Sequence, residues 1–160
     1  MKTGPGFRVL VAAVLAAVLV GGCSTYAIGP SVTYTFDPRF SFNELKTYRW
    51  VDAKPVYGGD PLLEANVRFL ADRVLAARGL KSPADKADFV VSVGYEFSSY
   101  RNELRTLTLN LARADSNELV WRGMAAGAIK TDASSGDLKN VVEGMLANFP
   151  PGAATAASGG

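Results

Sequence analysis

The hydrophobic residues beyond position 30 follow two different spacings, and this change of spacing constrains the fold more than any other feature. In five stretches they alternate with polar residues or form short apolar runs, as in strands. In two others they recur every three or four residues, as on one face of a helix. A chain that mixes both patterns is expected to pack helices against a sheet.

The predicted strands are separated by residues that favour turns. They cover residues 31–36 (SVTYTF), 47–51 (TYRWV), 88–97, 106–112 and about 119–129. A turn at 115–117 (DSN) joins the last two strands into an antiparallel hairpin.

Small residues beside a tryptophan mark one face of the fifth strand. Helix packing is the favoured interpretation, although a ligand groove has the same pattern. We therefore expect both helices to cover the face that holds these residues: Leu119, Trp121, Gly123, Ala125 and Gly127.

The first predicted helix has clear boundary signals. Asp60 is its N-cap, Pro61 occupies its first position, and Gly79 ends it, after which Leu80 folds back. Its apolar stripe is Leu63, Val67, Leu70, Val74 and Ala77. Another face carries Glu64, Arg68 and Asp72, a spacing typical of a solvated, salt-bridged surface.

The second predicted helix begins near 134–137 (SSGD) and ends before Pro150 and Pro151. Its inward residues are Leu138, Val141, Val142, Met145, Leu146 and Phe149. The order strand-strand-helix-strand-strand-strand-helix predicts an α+β fold. We expect a single antiparallel sheet of about five strands with both helices on one face, formed by residues 32–151, and a disordered tail at 152–160.

The first 22 residues predict an export signal. Lys2 and Arg8 form a short positive head, and the 12 residues from Val9 to Val20 are all apolar. As a helix this run would span about 18 Å, well short of a hydrocarbon core of about 30 Å. A cleaved signal is therefore favoured over a membrane-spanning helix.

The only cysteine of the chain follows this run. The stretch Val20-Gly21-Gly22-Cys23 resembles the lipobox of bacterial lipoproteins, an aliphatic residue and two small residues before the cysteine. The resemblance implies diacylglycerol on the Cys23 sulfur, cleavage between Gly22 and Cys23, and an acyl chain such as palmitate on the new amino terminus. Ordinary cleavage after Gly22, which would leave an unpaired thiol, is the alternative.

The resemblance also bears on location. Ser24 replaces the aspartate that usually retains lipoproteins in the inner membrane, which implies an outer-membrane protein facing the periplasm. Residues 23–31 then form a lipidated N-terminus and short tether. Lys2 and Arg8 account for the whole formal net charge of +2, so the remaining chain is neutral and has no net field for nucleic acid.

The side chains of most catalytic mechanisms are missing. The chain has no histidine, and a lipidated Cys23 is not a nucleophile, which excludes Ser-His and Cys-His mechanisms. No phosphate loop or metal-ligand spacing is present, so no cofactor and no metal are expected. Glu96 and Glu103 could act as paired acids in an alternative function, a carboxylate-dependent hydrolase of envelope glycans. Tyr95, Phe97 and Tyr100 near them could stack a ligand or be ordinary strand residues.

Four segments in order resemble a known family. They are FDPRFSFNELKTYRWV, NVRFLADRVLAARGLKSPADKADFVVSVGYE, LVWRGMAAGAI and VVEGMLANFPP. This pattern is similar to the domain-of-unknown-function family 4136 of bacterial lipoproteins, which implies an α+β fold but no activity or binding residue. We therefore predict a non-enzymatic, lipid-anchored envelope protein for assembly or for binding a protein or peptide, with a protein partner in the envelope.

Overall fold

The alternating and helical segments form one five-stranded sheet and two helices. The computed structural model describes residues 29–51, 60–82, 85–99, 103–132 and 135–151. A 3-10 turn at Phe42–Glu44 follows the first strand. The main elements are β1 (Ser31–Phe36), β2 (Tyr48–Trp50), α1 (Pro61–Ala77), β3 (Phe89–Phe97), β4 (Leu104–Arg113), β5 (Leu119–Ile129) and α2 (Asp137–Leu146).

The sheet is mixed, with strand order β1-β5-β4-β3-β2. β1, β5, β4 and β3 pair in antiparallel fashion, whereas β2 runs parallel to β3. The predicted α+β class and element order are confirmed, but the prediction of a purely antiparallel sheet was wrong. The physical reason is α1, because a helix between two neighbouring strands returns the chain to its starting end and makes them parallel.

One face of the sheet and both helices enclose the core. Alternate residues of the three central strands point into it, and α1 and α2 contribute their apolar stripes. The predicted inward residues of α2, including Phe149 beyond its end, are all buried. The sheet residues in this core are Tyr48, Phe89, Val91, Val93, Leu104, Leu107, Leu109, Leu111, Val120, Trp121, Ala125 and Ile129.

The contact between β5 and α2 depends on a missing side chain. A Cβ placed on Gly123 would lie 2.4 Å from Cη2 of Trp121 and 2.9 Å from Cβ of Met145. The Trp121 ring therefore occupies the space over Gly123, and α2 approaches the strand at Met145. This confirms the prediction that a helix packs on the Trp121 face.

Two residues assigned to that face lie elsewhere. Leu119 is 43% exposed, because the ladder shifts register between Leu111 and Ala112 and Val120 is buried instead. Gly127 has a φ of 133°, and a Cβ there would lie 3.1 Å from the backbone of Pro30 rather than against a helix. Because Gly127 has no side chain, the segment before β1 can pack closely against it at Pro30.

Helix α1 begins and ends where the sequence predicts. The Asp60 carboxylate accepts hydrogen bonds from the backbone N–H groups of Leu62 and Leu63, at 3.0 and 2.9 Å. At the other end Gly79 has a φ of 83°, and Leu80 N–H donates to the Leu75 carbonyl at 3.1 Å. The buried stripe differs from the prediction and consists of Leu63, Val67, Ala71 and Leu75, with Leu70 and Val74 at its margin and Ala77 exposed.

Asp88 fixes the parallel strand at the entry to β3. Its carboxylate accepts hydrogen bonds from the backbone N–H groups of Lys46 and Thr47 and from the Thr47 hydroxyl, at 2.8 to 2.9 Å. The Lys46 and Thr47 donors hold the pKa of this carboxyl below its usual range. This ionised side chain, together with the hydrogen bond from Asp88 N–H to the Thr47 carbonyl at 3.0 Å, ties the segment before β2 to β3.

We predict that Gly123→Ala lowers the free energy of unfolding by about 1 to 3 kcal/mol, because the added methyl group overlaps Trp121 and Met145. Gly94→Ala is the matched control, since its Cβ would meet only the Thr108 Cβ at 3.7 Å. Urea unfolding of both variants measures the difference. Equal stability of the two would contradict the packing described here.

We predict that Asp88→Asn loses about 1 kcal/mol of stability at neutral pH and that this loss fades on acidification. A carboxyl whose pKa is lowered by folding stabilises fully above its unfolded pKa of about 3.9. That contribution disappears as the pH falls through the folded pKa. Unfolding curves from about pH 7 to about pH 3, with Asp85→Asn as control, test this, and a difference independent of pH would refute it.

Candidate protein-interaction site

Strand β1 forms one edge of the sheet, and none of its residues is charged. It pairs with β5 on one side, and no other strand in the described part of the chain pairs with its outer edge. Its six residues are SVTYTF, and the prolines at 30 and 38 stand just outside it. Exposed edges without charges or internal prolines are the ones that pair with other chains.

The backbone groups of β1 alternate in direction. Asp37 N–H donates to the Val120 carbonyl at 3.0 Å, which makes residues 37 and 120 a hydrogen-bonded pair. In an antiparallel ladder such pairs alternate, so residues 31, 33 and 35 also bond to β5. The N–H and C=O groups of Val32, Tyr34 and Phe36 therefore point away from the sheet.

The same alternate residues expose aromatic surface. Tyr34 and Phe36 are opposite Gly123 and Trp121 and lie on the helix-covered face, yet they are 41% and 42% exposed. Their rings are stacked, with centroids 6.4 Å apart and planes 14° from parallel. An apolar surface thus borders a row of outward-pointing backbone donors and acceptors.

A series of ring contacts holds this surface to the core. Phe36 contacts Phe42 at 6.2 Å between centroids, Phe42 contacts Phe149 at 5.9 Å, and Phe149 contacts Trp121 at 5.4 Å. Each of these contacts is edge-to-face, the arrangement that aromatic quadrupoles favour. The edge aromatics are consequently positioned by the buried tryptophan.

At the opposite edge of the sheet, side chains of β2 are hydrogen-bonded to helix α1. On β2, the Tyr48 hydroxyl and the Trp50 Nε1–H both donate to Oδ1 of Asp72, at 2.6 and 2.8 Å. Burial, reinforced by the bond to Asp72, raises the pKa of Tyr48. Arg68 binds Glu64 at 2.6 Å and lies over the Trp50 ring at 5.4 Å. The acidic and basic row of α1 is therefore partly buried against β2 instead of fully solvated.

The two acids of the alternative hydrolase lie on β3 and directly before β4. Glu96 is exposed on β3, and Glu103 forms a 3.5 Å ion pair with Arg105. Tyr95 is half-buried and its hydroxyl accepts a hydrogen bond from Asp60 N–H at 2.7 Å, while its ring contacts Phe97 at 5.8 Å. Tyr95 and Phe97 thus have structural contacts; Tyr100 lies outside the described residues. The hydrolase stays a prediction.

Two shallow depressions are weaker candidates than the β1 edge. One of about 500 Å³ contains Arg39 and Arg113, but these cations already bind Asp37 and Asp115. A groove of about 280 Å³ between the helices is bordered by Phe69, which is 62% exposed. It has apolar surface but no row of backbone donors and acceptors, which are the groups that fix a partner's register.

The predicted lipidation site, Cys23, and the predicted cleavage position at Gly22 lie outside the described residues, as does the tail at 152–160. In the described ranges no helix is long and apolar enough to cross a membrane. The same ranges contain no group of three or more His, Cys, Asp or Glu side chains placed to hold a metal ion.

A family model covers most of the chain. The model of the domain of unknown function DUF4136 matches residues 32–151. The chain belongs to the DUF4136 family. This match spans every strand and helix of the described DUF4136 domain from Val32 onward, and the predicted resemblance is confirmed. No curated protein matches the sequence.

Solved structures similar to the DUF4136 domain agree on the fold alone. A dodecamer of a PelC point variant from Paraburkholderia phytofirmans has a TM-score of 0.53 and 18% identity, over 73% of this chain and 94% of that one. A second PelC dodecamer from that organism has a TM-score of 0.51 and 17% identity, with the same coverage. A PDZ domain protein from Parabacteroides distasonis has a TM-score of 0.55 and 11% identity, over 77% of this chain and 36% of that protein.

Two features of the sheet edges were missed from sequence. The alternation in β1 indicates that Tyr34 and Phe36 share a face, and only the pairing order places them at an edge. The flanking prolines and absence of charge were the available signals. The Asp72 acceptor was also missed, although Tyr48 and Trp50 share one face of a short strand and each carries a donor that needs a partner.

Proposed function

We propose that this protein is a non-catalytic lipoprotein of the cell envelope, anchored to the outer membrane through Cys23 and facing the periplasm. Its folded domain binds a protein partner in an assembly at the membrane surface. It requires no cofactor. The observation that carries this proposal is the uncharged outer edge of β1, where exposed aromatic rings border backbone groups that no other strand of the described ranges pairs with.

The β1 edge has the properties of a strand-addition site. In such sites main-chain hydrogen bonds supply affinity and alternate side chains supply specificity. The outward N–H and C=O groups of Val32, Tyr34 and Phe36 would form the main-chain hydrogen bonds. The Tyr34 and Phe36 rings would provide the specificity. Aromatic residues at a well-packed patch are also the residues that dominate binding energies.

The fold is compatible with assembly. The PelC structures, whose fold is similar, are described as dodecamers. With 18% and 17% identity they support only the idea that this architecture can form oligomers. For this chain, we take assembly at the membrane as part of the proposal.

The lipobox-like stretch supports the anchor. Nine residue steps lead from Cys23 to Val32, and this length reaches at most about 30 Å. Strand β1 would therefore lie close to the bilayer, where partners share the same surface. A chain held to a membrane in this way has a raised effective concentration toward an anchored partner.

We predict two results when residues 1–23 are replaced with an ordinary cleavable export signal. The released form is soluble in the periplasm, because it has neither acyl chains nor excess positive charge. A photo-crosslinking group at Phe36, which captures a discrete protein adduct in the lipidated chain, captures less in the soluble form. Cell fractionation and adduct yield are the measurements.

Thr108 provides the matched control, because it lies in the middle of the sheet on β4 and not on the β1 edge. A crosslinker there should give no adduct. Membrane retention of the Cys-free form would overturn Cys23 as the sole anchor. Equal capture from Thr108 and Phe36, or none from Phe36, would overturn β1 as the binding site.

A further inference from the structure

We propose that the partner at β1 is a second copy of this chain, joined edge to edge with its two β1 strands antiparallel around a two-fold axis at Tyr34. This inference rests on the proposed function and specifies the occupant of the same edge. The two sheets would then form one continuous sheet, with the helices of both copies on the same face.

The direction of the backbone groups supports this register. In the centred alignment Tyr34 is opposite the second copy's Tyr34, and Val32 is opposite the second copy's Phe36. These are the residues whose N–H and C=O groups point outward. Every outward N–H group of β1 therefore meets a C=O group of the second copy, and the opposed residues form hydrogen-bonded pairs of an antiparallel ladder.

The prolines support the same centre. Pro30 and Pro38 lie at equal distances from Tyr34 in the sequence, so they face each other across the axis in the centred alignment. Proline has no N–H to donate to a ladder. The run that can pair is consequently bounded at both ends, and shifting the register places a proline opposite an outward group. This limits the contact to one short, finite pairing.

The side chains are compatible with self-pairing. No charged residue lies within β1, so two copies bring no like charges together at its centre. The Tyr34 and Phe36 rings, partly exposed in one copy, would meet the same rings of the other copy on the helix-covered face. Thr33 would be opposite the second copy's Thr35, a favourable cross-strand pair.

The other sheet edge lacks these properties. β2 has three residues, and its central residue is the exposed Arg49, which would face its own copy as a like charge in a centred pairing. The contrast between the two edges favours β1. A neutral, self-complementary strand favours a second copy over a partner chosen by charge.

Disulfide crosslinking of the full chain in membranes tests the register. Two differently tagged copies are coexpressed, one with Thr33→Cys and the other with Thr35→Cys. In the centred alignment these residues form a non-hydrogen-bonded pair with Cα atoms about 4.5 Å apart, within the range of a disulfide. We expect a disulfide-linked dimer that contains both tags.

Matched controls set the background. Arg49→Cys in both copies places thiols at the other edge and should give no dimer above the unmodified chain, which carries only Cys23. Thr33→Cys in both copies should give less dimer than the mixed pair, because these positions are diagonal to each other and about 7 to 8 Å apart. Equal yields from all pairs would overturn the register.

A charge exchange at the axis provides an independent test. Tyr34→Lys and Tyr34→Glu each place like charges opposite one another, so each variant alone should lose the dimer. Coexpression of the two should restore it. The backbone of Tyr34 makes no hydrogen bond to β5, so these variants should retain the fold, which a cooperative unfolding transition checks.

The outcomes separate this inference from the proposed function. A crosslinker at Phe36 that captures a different envelope protein and never a second copy overturns self-pairing but leaves the proposed function intact. Failure of the mixed charge pair to restore the dimer also overturns self-pairing. A dimer that persists in the Cys-free soluble form supports self-pairing while it removes the need for the anchor.

Discussion

The packing of Trp121 over Gly123 is the contact on which the rest of the structure depends. Because residue 123 has no side chain, the indole ring occupies that space and α2 can approach β5 at Met145. The ring of Phe149, just beyond α2, contacts the Trp121 ring as well. The approach of α2 to the sheet and the packing of the Trp121 ring thus both depend on the missing side chain at position 123.

The position of β1 follows from this packing. α2 extends over the strand at Gly144, where a Cβ would lie 3.5 Å from Val32. Tyr34 and Phe36, further along the strand, remain partly exposed, and Phe42 connects the Phe36 ring to the core. The ring contacts from Phe36 through Phe42 and Phe149 to Trp121 therefore position this aromatic edge against the core. A preorganised surface of this kind loses less entropy when a partner binds.

Local sequence signals predicted the elements well. The bounds of β1 and β5 and the start and end of α1 followed from alternation, from Asp60 and from Gly79, all of which act within a few residues, whereas β2 is shorter and β4 longer than predicted. Pairing order is not a local property. The parallel pairing of β2 with β3 and the edge position of β1 depend on contacts between segments far apart in the chain.

The candidate site was accessible to sequence reasoning only in part. The absence of histidine and the lipobox-like stretch at Cys23 could be identified directly, and they led to the expectation of a non-catalytic lipoprotein. The edge position of Tyr34 and Phe36 could not be predicted, because the period of a strand indicates which residues share a face but not whether the strand has two neighbours. The Asp72 acceptor was missed for a related reason, since its two donors come from another element.

Residue-resolved amide hydrogen exchange on β1 tests the central claim most directly, since it compares two sets of N–H groups in one strand. When the full chain is monomeric, the amides of Thr33 and Thr35 should be protected by hydrogen bonds to β5, while those of Val32, Tyr34 and Phe36 exchange rapidly. In the membrane-bound assembly the second set should become protected as well. Rapid exchange of Tyr34 and Phe36 in both states would contradict pairing at this edge.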